Sequence, residues 1–182
     1  MNTSQTSHLT YARVAGFTFL FYIVAGIASL ALGSESQVGD NVLSLFQSFS
    51  ALVLGVTLYA LTYKQGPALA TLALTCRVIE AVQYGESAIF FAVGSLLFSW
   101  LLLRGRMIPV TLAQFGVFAS ALLVVILPLQ LAGLFGGSMS WSASITWLIW
   151  LPMLIFEVTL ALWLMIKGVN IEQWIMVESK QA

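Results

Sequence analysis

The sequence predicts an all-α fold, a polytopic transmembrane bundle of six helices. Three observations predict it. The 182 residues are 60% hydrophobic and 8% charged, with a mean hydropathy of +0.98, whereas soluble domains carry about 25% charged residues. The apolar residues fall in runs long enough to cross a bilayer, which takes about 20 residues per helix within a range of about 17–25. The cations, Arg77 excepted, lie at the ends of those runs or beyond them.

Residues 1–10 read as a polar N-terminal tail. The apolar run 14–32 exceeds the roughly 7–15 residues of a signal-peptide core, so it is read as a span, 11–32, and not as a leader. A polar linker, 33–40, leads to span two, 41–63. The next apolar run, 67–103, is too long for one helix and short for two, and charge decides between them. Lys and Arg flanking membrane helices favour the cytoplasmic side. One span would put Lys64 opposite Arg104 and Arg106. A hairpin puts Arg13, Lys64, Arg104, Arg106 and Lys167 on one side and Glu35 and Asp40 on the other. The run therefore divides into spans 67–84 and 86–103, turning at Tyr84-Gly85-Glu86-Ser87, with Gly85 as the breaker and Glu86 as a solvated turn residue.

Spans five and six follow at 109–134 and 142–166, and both termini are expected in the cytoplasm. Pro67 and Pro109 suit first-turn positions, where the missing N–H costs nothing. Pro128 and Pro152 fall inside spans and predict kinks, which membrane helices tolerate. Tyr11, Tyr59, Tyr63, Trp100 and Trp163 fall near the cytoplasmic ends, with Trp141 at the outer end of span six, as amphipathic rings do at interfaces. Residues 169–182 form a cytoplasmic tail, in which 171–177 has the pattern of a short interfacial helix.

Several function classes drop out. Seven basic and seven acidic residues balance, leaving no positive face for nucleic acid. Cys76 is alone and cannot form an internal disulfide. His8 is the single histidine, so no cluster has zinc-ligand spacing; no metal and no cofactor are expected. A Ser–His pair within the membrane is excluded because His8 lies in the tail, and no G-x-S-x-G occurs. The expected partners are the lipid bilayer and a small-molecule or lipid ligand.

Arg77, Glu80 and Glu157 are the candidate site. A charge at mid-membrane costs about 2.5–3.5 kcal/mol on insertion scales, so such residues are paired, used, or both. Arg77 and Glu80 are three apart and share a helix face. At about 1.5 Å per residue, Arg77 beyond Pro67 and Glu157 before Lys167 reach similar depths near mid-membrane. Gln83, Tyr84, Gln47, Gln114 and Gln130 are further polar residues expected to line the interior. Two readings stand side by side. In one, Arg77 bridges both carboxylates and clasps the bundle. In the other, the cluster binds a polar, anionic or lipidic ligand, or relays protons. The first functional expectation is a non-enzymatic ligand-binding membrane protein; a small proton-coupled transporter and an intramembrane lipid-modifying enzyme are the alternatives. Small residues in the pairs Ala12/Gly16, Tyr22/Gly26 and Ala88/Ala92 suggest close helix contacts.

Several segments carry a resemblance. They are Ala12-Arg13-Val14-Ala15-Gly16, Arg77-Val78-Ile79-Glu80-Ala81, and Phe90-Phe91-Ala92-Val93-Gly94 running to Leu103-Arg104-Gly105-Arg106-Met107-Ile108-Pro109. The last is Glu157-Val158-Thr159-Leu160-Ala161-Leu162-Trp163-Leu164-Met165-Ile166-Lys167-Gly168. From Arg13 to Gly168 the chain resembles the DUF4386 family of uncharacterised bacterial membrane proteins. The resemblance implies a multi-pass protein of the bacterial cytoplasmic membrane and no known activity. It places Arg13, Arg77, Glu80, Glu157 and Lys167 at family motif positions. Two departures are visible: the segment between the Arg-x-x-Glu-Ala and Phe-Phe-x-x-Gly helices is shorter here, and Val110 follows Pro109 in place of a basic residue.

Overall fold

The computed structural model describes residues 3–32, 37–83, 87–134 and 144–170, and its elements are helical. They are α1 (Thr3–Leu32), α2 (Gln37–Thr62), a 3-10 turn (Tyr63–Gln65), α3 (Pro67–Val82), α4 (Ser87–Arg104), α5 (Val110–Leu131) and α6 (Ser144–Ile166). The long middle run is thus two helices. Its connecting turn at Tyr84 to Glu86 lies outside the described residues, as do Glu35, Trp141 and the tail 171–182.

Local chemistry explains the ends. Pro67 stands in the first turn of α3, behind Gly66, whose N–H donates to the Tyr63 carbonyl at 3.3 Å. Pro109 differs from expectation: it is the residue before α5, with ψ 133°, and its carbonyl accepts from Ala113 at 3.0 Å. Its extended ψ, outside the helical range, sets it at the cap instead of inside the first turn. Neither Pro128 nor Pro152 ends its helix. Several threonine hydroxyls inside the spans are satisfied locally: Thr57, Thr62, Thr71, Thr75 and Thr159 each donate to the carbonyl four residues back, at 2.7–2.9 Å. This bond lets a hydroxyl enter an apolar medium without an orphaned donor.

Each helix packs on its neighbours in sequence, and α6 returns to α1, so the six close into a ring. Buried Phe98, Phe156, Leu54, Leu58, Leu123, Leu127 and Met153 fill it. The outer surface carries Phe17, Val24, Leu45, Val82, Leu148 and Ile166, all more than 60% exposed. Such an apolar girdle has no place in water and is what lipid requires. Among the described residues, five helices are long and apolar enough to cross a membrane. The exception is α3, whose 16 residues extend only about 24 Å at about 1.5 Å per residue, short of the roughly 30 Å hydrocarbon layer. The molecule is a multi-pass membrane protein.

One end of the ring gathers the cations. Gly168 lies against Leu9, Gly105 against Gln65, and Gly66 beside Leu101 and Arg104. Asn170 N–H donates to the Met107 carbonyl at 2.8 Å, tying the segment after α6 to the α4–α5 link. Lys64, Arg104, Arg106 and Lys167 belong to these segments, and Arg13 is one turn into the membrane part of α1 from Leu9. We refer to this as the basic end.

Candidate functional site

The short helix α3 presents Arg77 and Glu80 inward on consecutive turns. Arg77 is the largest fully buried side chain, 1% exposed. Its stem fits because both neighbouring helices offer glycine there. A Cβ on Gly55 of α2 would come within 2.9 Å of the Arg77 Cβ, and one on Gly94 of α4 within 3.7 Å of its Cγ. The guanidinium is held on three sides. Nη1 donates to Glu80 Oε2 at 2.9 Å, Nη2 donates to Ser95 Oγ at 3.0 Å, and Cζ lies 4.8 Å from the centroid of the Phe91 ring. Phe91 and Ser95 are four apart on α4 and buried on the same face.

Glu80 has both oxygens engaged, Oε2 by Arg77. Its second oxygen, Oε1, accepts from the Tyr22 hydroxyl of α1 at 2.8 Å. Three helices are thereby joined through one carboxylate and one guanidinium: α1 by Tyr22, α3 by the pair itself, α4 by Ser95. Hydrogen bonds to charged groups are worth about 1.5–3 kcal/mol each, although membrane measurements of interhelical bonds run lower, at about 0.6–2 kcal/mol.

Glu157 is different. It stands on the buried stripe of α6 with Met153, Phe156, Leu160 and Ala161, and is 4% exposed. Its Oε1 has no hydrogen-bond partner among the described residues. The bridging clasp from Arg77 to both carboxylates is not formed: its terminal nitrogens are taken by Glu80 and Ser95, and its Nε has no hydrogen-bond partner among the described residues. The reason is local, because Glu80 sits one helical turn away on the same face, whereas α6 is across the ring.

What Glu157 faces is space. A cavity of about 390 Å³ is lined by Glu80, Glu157, Tyr22, Phe91, Trp150 and Gln47, with Ser29, Ser87 and apolar residues of α1, α4 and α6 completing its wall. Tyr22 stacks on Phe91, with centroids 6.3 Å apart and planes at 4°, and Phe91 meets Trp150 at 5.5 Å. Toward the outside, Ile27, Trp147 and Leu151 line the cavity and are each about half exposed (51%, 46% and 48%). The cavity thus reaches the lipid-facing surface between α1 and α6, in the half of the bundle away from the basic end. A second, smaller space of about 210 Å³ shares Tyr22, Gln47, Glu80 and Ser87 and adds Gln83.

The structure brings together Glu80, Glu157 and Gln47 on the larger wall, with Gln83 on the smaller one and Arg77 behind Glu80. It does not bring the others. Gln114 points out of the bundle, because the buried stripe of α5 runs through Ala113, Gly116 and Ser120 and leaves Gln114 off that face. Gln130 is buried at the far end of α5, away from both cavities, and its Oε1 has no hydrogen-bond partner among the described residues. Tyr84 lies outside the described residues. Sequence reasoning missed Tyr22, Phe91, Ser95 and Trp150. A phenol in the middle of a span was the available signal, since a buried Tyr hydroxyl requires a partner. Among the described residues no three His, Cys, Asp or Glu side chains gather as metal ligands.

Residues 83–168 match the family described as "Domain of unknown function (DUF4386)". The match covers α4 to α6 and includes Glu157. It begins after Arg77 and Glu80, and is narrower than the stretch from Arg13 that carries the resemblance. No curated protein and no solved structure matches the chain.

Proposed function

We propose that this multi-pass membrane protein, assigned to the DUF4386 family, is a non-enzymatic binder of a small ligand with an apolar body and a polar end, taken up from the bilayer between α1 and α6. One observation carries the reading. A nearly fully buried carboxyl, Glu157, has an oxygen without a hydrogen-bond partner among the described residues and lies on the wall of a cavity of about 390 Å³. That volume falls within the roughly 300–1,000 Å³ of small-molecule sites. An intramembrane carboxylate left unpaired in a purely structural role would be a net cost.

The enzymatic alternative is disfavoured by Glu80. Acid–base work needs a group free to exchange its proton with substrate, and both Glu80 oxygens are committed to Arg77 and Tyr22. A carrier would need a second route on the opposite side. There α1 and α6 are in contact at Gly16, where a Cβ would meet the Ala161 carbonyl oxygen at 2.6 Å. We place the basic end in the cytoplasm by the flanking-cation rule, and the membrane as the bacterial cytoplasmic one.

The test is retention of a bound molecule. Native mass spectrometry of the protein released from its membrane should show a bound species. Ala88→Phe, which fills the cavity from α4, should reduce its occupancy about tenfold, equivalent to about 1.4 kcal/mol. Equal occupancy in the filled variant would remove this reading.

A further inference from the structure

Resting on that reading, we infer that the polar end of the ligand is a monovalent organic cation, an amine or quaternary ammonium carried on an apolar body. The cluster holds one cation and two carboxyl groups, and the cation is turned away from the space. Arg77 lies behind Glu80, its two terminal nitrogens bound to Glu80 and Ser95, and it is not on either cavity wall. Among the described lining residues there is no Lys, Arg or His, while Glu80 and Glu157 both are.

Charge therefore selects against the anionic headgroup that the sequence left open. An anion entering this space would meet two carboxyl groups and no donor with a positive charge. Arg77 offsets Glu80, so an incoming cation has the carboxyl of Glu157 to pair with. A carboxyl ionised at this depth needs such a partner, because desolvation costs several kcal/mol per ion.

The walls fit the same chemistry. Trp147 and Trp150 line the cavity with Phe91 and Tyr22. A cation over an aromatic face gains about 0.5–2 kcal/mol, most with Trp, and quaternary ammonium groups are bound this way in aromatic cages. The molecule already uses the arrangement once, with the Arg77 guanidinium 4.8 Å from the Phe91 centroid. Phe91 is engaged by Arg77, Tyr22 and Trp150, and Trp147 lies nearer the lipid-facing mouth. The exposed apolar mouth at Ile27, Trp147 and Leu151 suits an amphiphilic cation that partitions into lipid first and enters sideways.

Three probes of one shape separate charge from volume. Benzyltrimethylammonium is the cation, neopentylbenzene its neutral isostere, and benzylphosphonate the anion. Each is titrated against the full chain in phosphatidylcholine nanodiscs, read by tryptophan fluorescence, with the Ala88→Phe protein titrated in parallel as the background. The cation should saturate at least about tenfold below the neutral isostere. The anion should give no saturable change, and Glu157→Gln should remove most of the preference for the cation. Equal affinity for the neutral isostere overturns the inference and identifies a protonated Glu157 beside a neutral ligand. Preference for the phosphonate overturns it as well. Both of those outcomes leave the ligand-binding reading standing. No saturation by any probe overturns the cation inference alone, since the ligand-binding reading is decided by the retained mass. The comparison among probes uses the unaltered protein, so it holds even where Glu157→Gln does not fold.

Discussion

The same two helices, α1 and α6, behave differently at their two ends. Near the basic end they touch: Gly16 has no room for a side chain against Ala161 and Met165, and Asn170 and Gly168 close over the neighbouring links. One and a half turns further along α1, from Tyr22 onward, the two helices bound a cavity with aromatic walls and two carboxyl groups. Small residues bring backbones together, and large planar ones hold them apart. The bundle is sealed at one end and receptive at the other because Gly16 and Ala161 meet in one half, while Tyr22, Phe91 and Trp150 meet in the other.

The largest expected effect falls on what joins the receptive half. Arg77→Met leaves Glu80 buried without its partner and should destabilise by about 3–5 kcal/mol, while the double variant Arg77→Met/Glu80→Met should recover most of the loss. Unfolding titrations of the two proteins in mixed micelles would show this, and equal losses would mean that the pair is not what anchors α3. A middle-sized effect separates the two ends directly. Gly16→Val, inserted where α1 meets α6, should cost about 1–3 kcal/mol through overpacking. Ala88→Phe, inserted into the cavity, should change stability by less than about 1 kcal/mol. Comparable losses in the same unfolding assay would erase the distinction between sealed and open halves. The smallest effect belongs to Gln114→Leu. This side chain faces outward, so the change should stay within about 0.5 kcal/mol and leave ligand retention unaltered.

Much of the architecture was legible in the residue order. The runs of apolar residues gave six helices, and the distribution of Lys64, Arg104 and Arg106 divided the middle run, because a cation flanking a span carries information about sides that hydropathy does not. The division agrees with α3 and α4 as separate helices. The candidate site was legible only by type. Arg77, Glu80 and Glu157 stood out as charges in apolar surroundings, but their pairing did not. Three-residue spacing brings Arg77 to Glu80 without any fold, whereas the place of Glu157 relative to either depends on the whole ring. Gln114 was drawn inward by its polarity alone; the face it occupies is set by the Ala113, Gly116 and Ser120 stripe.

The sequence by itself determined that this chain lives in lipid, since composition and run length leave its apolar surface no other solvent. It also determined that α3 is short and carries charge, since Pro67, Arg77 and Glu80 are local features. Only the tertiary structure decided which carboxylate is neutralised. Arg77 can satisfy Glu80 and Ser95 at once because Gly55 and Gly94 let α2 and α4 close around its stem. That choice leaves Glu157 facing a cavity with an oxygen unbonded, a consequence of helix packing around a ring that no local pattern in the sequence encodes.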